Sequence, residues 1–232
     1  MTIYDDGTYL RNVQTWHAED SAFKARHVLK AMAKHGIHPA TIGEVGCGAG
    51  RVLQIVQAKC PVATCVGWDV SPQAIEMART FKDAHVTLVC GDILVAAPRY
   101  DVLLALDVFE HVPDYLGFLR SLRELAQWHV FHIPLEVTAS SALRTHALLR
   151  ARREVGHLHH FCEATAIATL TDCGYKIVDH WLTAGALETP AGRLRTRVAN
   201  SIRRLLPPAW CARLFGGYSL LVVCRNPCPD SP

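Results

Sequence analysis

Hydrophobic and polar positions alternate in blocks along this chain. Short runs of branched and apolar residues predict strands at 41–46, 63–68, 85–90, 101–106 and 128–133. Between them, apolar residues recur at helical spacing over 50–58, 71–81, 113–126 and 161–173. Ser71-Pro72 gives an N-cap followed by proline at the first helical position, and Val112-Pro113-Asp114 opens the next helix in a similar way. Leu116, Leu119, Leu122 and Leu125 then form one apolar stripe. Strand, helix, strand, helix in repetition predicts an α/β fold with parallel strands and right-handed crossovers.

Helical spacing of Phe23, Val28, Leu29 and Met32 predicts one or two helices ahead of the core, an N-terminal helical lid over about 1–38. Tyr4, Tyr9 and Trp16 precede it, placed to fold over a site or to pack. The rhythm breaks after Ile133-Pro134. Residues 138–153 read as a basic helix, Gly156 to His160 as a loop, and Gly174 as a C-cap before a strand at 175–182. A second basic helical insertion spans about 190–213, and Gly216-Gly217 precedes a last strand at 218–224.

Composition narrows the class. A chain of 232 residues, half of them apolar, suits one large α/β domain. A net charge of +3 does not demand nucleic acid. The polar N-terminus shows no secretory signal, and no apolar run approaches the ~20 residues of a membrane span. Nine scattered cysteines without Cys-x₂-Cys spacing predict reduced thiols in a cytoplasmic protein.

The chemistry gathers at the carboxyl ends of the strands, where open α/β sheets bind ligands. The first strand runs through Glu44 into Gly46, Gly48 and Gly50, a turn against which a ligand can lie. A carboxylate at Glu44 suits a cation and opposes a phosphate. The following strands end in Asp69-Val70, Asp92-Ile93 and Asp107, so four successive strands bring an acid to one edge. A sulfonium nucleoside gives each a task. Asp69 accepts both ribose hydroxyls, Val70 packs on the adenine, Asp92 takes the adenine amino group, and the Ile93 N–H meets the ring. Glu44 and Asp107 balance the ammonium and sulfonium charges. A carboxylate at a strand end such as Asp69 is expected to be dispensable for the fold. A nicotinamide dehydrogenase needs its third glycine at relative position six, and here Gly50 falls at position five.

These motifs, with the run Leu106 to Pro113 and the segment Gly156 to Phe161, resemble those of class I S-adenosylmethionine-dependent methyltransferases. The chain is most similar to the group of ubiquinone-type and small-metabolite O-methyltransferases. The resemblance covers roughly 20–185 and the final strand. It implies a Rossmann-like seven-stranded sheet in the order 3-2-1-4-5-7-6, the last strand antiparallel, with helices on both faces. It also implies S-adenosylmethionine as cofactor and S-adenosylhomocysteine as product.

The acceptor is read only as a small molecule, most readily a hydroxyl. N- or C-methylation, an envelope glycan or lipid precursor, and a non-enzymatic scaffold stay open. A hydroxyl needs a proton removed, and histidine is the natural base. His111 is the first candidate, His159 and His160 the next, with His132 and His157 near the same edge, and turnover is expected to rise through a histidine-like pKa. Asp107, Glu110, His111 and a histidine of 157–160 also resemble the donor set of metal-assisted small-RNA methyltransferases. Asp107 is a methylene shorter than the glutamate expected there, so a divalent cation is admissible but not expected. Arg193, Arg195, Arg197, Arg203, Arg204 and Arg213 stand among apolar residues in a stretch without acids. That pattern admits an anionic acceptor or a peripheral membrane contact through 193–213.

Overall fold

In the computed structural model, the described residues are 20–78, 85–144, 146–185 and 206–226. The expectations that fall on Tyr4, Tyr9, Trp16 and the arginines of 193–204 lie outside them.

Seven strands form one sheet: β1 Thr41–Val45, β2 Thr64–Asp69, β3 Val86–Cys90, β4 Tyr100–Leu106, β5 Ala126–Leu135, β6 Ile177–Thr183 and β7 Tyr218–Arg225. Their order is 3-2-1-4-5-7-6. β1 to β5 pair in parallel, and β7 is antiparallel to both neighbours. This is the sheet that the resemblance implies.

Alternation along the strands splits the core into two layers. Leu103 and Ala105 face one side with Phe131, Ile133, Leu220 and Val222. They meet Leu119 and Leu122 of α5 (Tyr115–Arg123) and Ala166 and Leu170 of α8 (Glu163–Asp172). Val102 and Leu104 face the other side with Val130, Leu221 and Val223. There they meet Val28 and Met32 of α1 (Ser21–Lys34) and Leu53 and Val56 of α2 (Arg51–Lys59). The single helix α1 fills the N-terminal helical expectation within the described residues.

Boundaries differ from the sequence pattern where side chains cap the backbone. α3 (Pro72–Ala78) follows Ser71, whose Oγ accepts from the Ala74 N–H. α5 starts at Tyr115 because Asp114 is its N-cap, accepting from Gly117 N–H. The expected single helix over 138–153 is two. Thr138 and Ser141 cap each other reciprocally and close the one-turn helix α6 (Ala139–Ala142), and α7 runs His146–Glu154. A short α4 (Ile93–Ala96) and a 3₁₀ turn Phe109–His111 escaped the periodicity, being too brief to show one, and α9 (Pro208–Leu214) overlaps the end of the helical insertion expected over about 190–213. The cysteines among the described residues are free.

Candidate active site

The glycine turn and Asp69 are built as one unit. Gly46, Gly48 and Gly50 all have positive φ, at 65°, 53° and 69°, a region side chains rarely enter. A Cβ on Gly46 would lie 2.8 Å from Val108 Cγ2, and one on Gly50 2.9 Å from Leu88 Cδ2. Asp69 holds the turn: Gly48 N–H donates to its Oδ2 (2.9 Å) and Ser71 N–H to its Oδ1 (2.8 Å). Asp69 is buried, so its role in the fold corrects the expectation of a dispensable strand-end group. Burial pushes its carboxyl up in pKa, and the two N–H bonds oppose that.

Glu44 is buried beside this turn, with Oε2 lacking any hydrogen-bond partner. Burial raises its pKa to about 8, against the pull of the Lys24 ammonium, while Asp69 adds to the rise. Val70 is 63% exposed next to Asp69, and Ile93 is buried. Asp92 is exposed and N-caps α4, its Oδ1 accepting from Leu94 N–H (2.8 Å). One carboxylate oxygen is thereby engaged in the helix cap.

Asp107 stands at the end of β4 as expected, with partners that the sequence does not show. At φ +59° it closes β4 in a strained left-handed conformation. Lys24 Nζ of α1 lies 2.7 Å from its Oδ2, and His132 Nδ1 of β5 donates to its Oδ1 at 2.7 Å. The chain itself therefore supplies the countercharge that was expected from a ligand. His132 and the Lys24 ammonium beside it hold the Asp107 carboxyl far below the usual carboxylate range, overcoming burial. His132 Nε2 sits 2.9 Å from the Thr183 hydroxyl, which donates to Ser219 O. Lys24 belongs to the site and was missed in the sequence. Nothing in its local pattern separates it from the other lysines of an amphipathic helix.

Lys24, Asp107 and His132 line a cavity of about 370 Å³, together with Phe23, Glu136 and Tyr218 among others. It opens at the ends of β4 and β5, one strand along from the glycine turn at the end of β1.

Of the histidines at this edge, His132 lines the cavity, and His111, His157, His159 and His160 do not. The Glu110 backbone carbonyl accepts the Leu158 and His159 N–H groups, and the Phe161 carbonyl accepts those of Glu136 and Val137. These bonds stitch the 157–160 loop across the ends of β4 and β5. His159 Nε2 donates to Val112 O (3.0 Å), and its ring packs 4.4 Å from that of Tyr115. That engagement with backbone explains its place without chemistry. His160 Nδ1 lies 2.6 Å from Glu136 Oε2, and His157 Nδ1 2.9 Å from Glu136 Oε1. His111 has its ring centroid 4.8 Å from that of His157. Burial pushes its pKa down to about 4, with His157 adding to the fall and a hydrogen bond to the Gly156 backbone opposing it. The expected titration near the ordinary histidine value is corrected to that lower one.

Two overlapping groups among the described residues could hold a metal ion: Glu110, His111 and His157, and Glu136, His157 and His160. Glu110 is fully buried and its carboxylate oxygens have no hydrogen-bond partner among the described residues, with His111 Nε2 4.0 Å from Oε1. Asp107 is taken by Lys24 and His132, so the donor set inferred from the resemblance is not the set assembled here. An ion held by Glu110, His111 and His157 would act as a Lewis acid toward an acceptor oxygen. Methyl transfer from a sulfonium needs no such acid. We expect turnover to survive chelation with EDTA; loss restored by a divalent cation would assign these residues as ligands.

The glycine cradle, the buried oxygen of Glu44 and the carboxylate at Asp69 suit a cationic nucleoside, and they stand on a sheet with the strand order of class I methyltransferases. Comparison with known proteins agrees. Residues 16–180 match the family described as "Methyltransferase domain", and the chain belongs to that family. Nodulation protein S of Bradyrhizobium diazoefficiens is 29% identical over 116 residues, 47% of this chain and 54% of that protein. The ubiquinone biosynthesis O-methyltransferase of Actinobacillus pleuropneumoniae is 26% identical over 129 residues, 48% of this chain and 54% of that enzyme. The match thus spans about half the length of these curated relatives. Among solved structures, magnesium protoporphyrin IX methyltransferase from Synechocystis with bound SAH has a TM-score of 0.60 at 17% identity, covering 93% of this chain and 86% of that one. That likeness bears on the fold.

Proposed function

We propose that this chain transfers a methyl group from S-adenosylmethionine to a hydroxyl oxygen of a small-molecule acceptor seated in the cavity of Lys24, Asp107 and His132. The observation that carries the reading is the cavity itself, lined by Lys24, Asp107, His132 and Glu136 at the ends of β4 and β5, with β4 next to β1 and its glycine turn. When bound, S-adenosylmethionine supplies a methyl already activated by its sulfonium, so alignment and desolvation do most of the catalytic work.

In this reading Asp69 accepts the ribose hydroxyls on its remaining lone pairs, and Val70, Asp92 and Ile93 frame the adenine. Glu44 binds the α-ammonium. Asp107 acts through Lys24 and His132, contributing charge balance at one remove. Lys24, held by Asp107, presents an ammonium to the acceptor oxygen and stabilises its developing charge. His111 is neutral at physiological pH and is the final proton acceptor, reached from the cavity residue Glu136 through His157, with His160, also paired to Glu136, next. His159 positions the loop. The names of the relatives support oxygen as the methylated atom, since ubiquinone biosynthesis and malonyl-[acyl-carrier protein] O-methyltransferases are among them.

The test is incubation with methyl-labelled cofactor and a metabolite extract, followed by mass identification of the product. A label on oxygen supports the reading. A label on nitrogen or carbon moves it to the neighbouring reaction class, and cofactor binding with no labelled product leaves a scaffold subunit.

The Glu44 pKa makes cofactor affinity proton-linked. Its carboxyl is protonated below about pH 8 in the free protein, and a bound ammonium favours the ionised form. Affinity is therefore expected to rise with pH, about tenfold from pH 7 to a plateau above 8, since one pKa unit is about 1.4 kcal/mol. Calorimetry across that range checks this, and Glu44→Gln removes the rise while lowering the plateau.

A further inference from the structure

The helices that follow β5 and precede β7 carry exposed apolar and basic residues together. None of the residues of α7 is buried, although its sequence is amphipathic. α6 packs against both α7 and α9, so the three helices are neighbours. Leu143 is 86% exposed there and Trp210 62%, and Val137, Leu149 and Phe215 are also exposed. Scattered single apolar residues are ordinary, but five large ones on adjoining elements form a patch that marks an interaction surface. Around them stand the exposed arginines Arg144, Arg150, Arg152, Arg153 and Arg213, against one acid in these segments, Glu154.

We propose that this face of α6, α7 and α9 docks on an anionic lipid bilayer, with Trp210, Phe215, Leu143 and Leu149 entering the headgroup boundary and the arginines pairing with lipid phosphates. Exposed aromatic and leucine side chains interleaved with arginines match an interfacial surface, where apolar area and anionic attraction add. Arginine also buries its stem along apolar surface while its charged head stays wet, so the two kinds of residue share one plane. Charge complementarity selects an anionic surface over a neutral one. The exposed Leu, Val, Trp and Phe select a bilayer over a nucleic acid, which would offer stacking to the rings but nothing to the aliphatic chains.

The place of the face adds to its meaning. Val137 follows Glu136, and Phe215 lies two residues before Gly217; Glu136 and Gly217 both line the cavity. A bilayer on this face would lie at the cavity mouth and deliver an acceptor carried on a lipid, one that partitions into the membrane before it is methylated. The docking itself does not depend on the methyl-transfer reading, because it is read by vesicle binding alone.

The experiment is flotation of the full chain with phosphatidylcholine vesicles, with and without about 30% phosphatidylglycerol, at low and high salt. Wild type is expected to float with the anionic vesicles, less so in high salt, and to leave neutral ones largely unbound. Arg150→Glu with Arg153→Glu, and separately Trp210→Ser with Phe215→Ser, are each expected to lower partitioning roughly tenfold or more. Cofactor affinity and circular dichroism should stay at wild type, which establishes that each variant is folded, and the two pairs are independent of one another. Wild type that ignores anionic vesicles, or binds neutral ones equally well, overturns the proposal. So does a folded pair of variants that both float as wild type. Binding to a single-stranded oligonucleotide without vesicle binding would reassign the face to nucleic acid. A dimer dissolved by Trp210→Ser with Phe215→Ser, again without vesicle binding, would reassign it to a second copy of the chain.

Discussion

His111→Ala is expected to lower turnover about 10²–10⁴-fold, the usual contribution of a general base, while cofactor affinity stays within a few-fold. The geometry supports a base that is ready without titration. Burial and His157 keep the imidazole neutral with a pKa of about 4, so turnover should be flat from about pH 5 to 8 as far as this group is concerned. His111→Gln can keep a hydrogen bond but cannot take the proton, and it should lose nearly as much. Two readouts separate chemistry from support. The 3₁₀ turn that carries His111 also holds the 157–160 loop through the Glu110 carbonyl, so a structural role would show as a lower melting temperature with turnover restored in His111→Gln. Normal turnover in both variants would move the base to His160, paired with the cavity residue Glu136.

Asp69→Ala should weaken binding of S-adenosylhomocysteine by roughly two to four orders of magnitude, from the loss of two charge-assisted hydrogen bonds worth about 1.5–3 kcal/mol each. It should also destabilise the protein, because Gly48 N–H and Ser71 N–H lose their acceptor, at about 1–3 kcal/mol for each buried donor left alone. Asp69→Asn keeps the shape and offers one acceptor oxygen, so it should recover part of the stability and little of the affinity. Calorimetry and thermal melting on both variants check this together. Affinity at the wild-type level in folded Asp69→Ala would remove Asp69 from the cofactor site, leaving it as a clamp on the glycine turn.

The clamp shows what a sequence carries and what it does not. Asp69 after a strand and before Ser71-Pro72 is legible as an acid at a ligand-binding edge, since strand, turn and spacing are local. Its bond to Gly48 crosses 21 residues and appears only once β1 and β2 lie side by side. Asp107 shows the same limit in the other direction. Its position at the end of β4 was legible, but its partners were not. Lys24 lies on a helix far back in the chain and reaches it because α1 packs on β5, while His132 reaches it because β5 pairs with β4.

The histidines divide on the same principle. Their number and their nearness to strand ends were plain in the sequence, and so was the loop of three. Their division into one tied to backbone carbonyls, two paired with Glu136 and one buried beside His157 depends on backbone bonds between the β4 and β5 loops. Burial then sets the pKa of His111, a quantity with no local signature.

By itself the sequence determined the periodicities, and with them the alternating strands and helices, the glycine turn and the acids that follow successive strands. These are properties of neighbours along the chain, governed by backbone freedom and by the two spacings that bury one face of a strand or helix. Only the tertiary structure decided which charges neutralise one another, which histidine stays neutral, where the cavity lies and which helices leave an apolar face to solvent. Those outcomes depend on distances between segments and on exclusion of water, which exist only after the sheet has assembled.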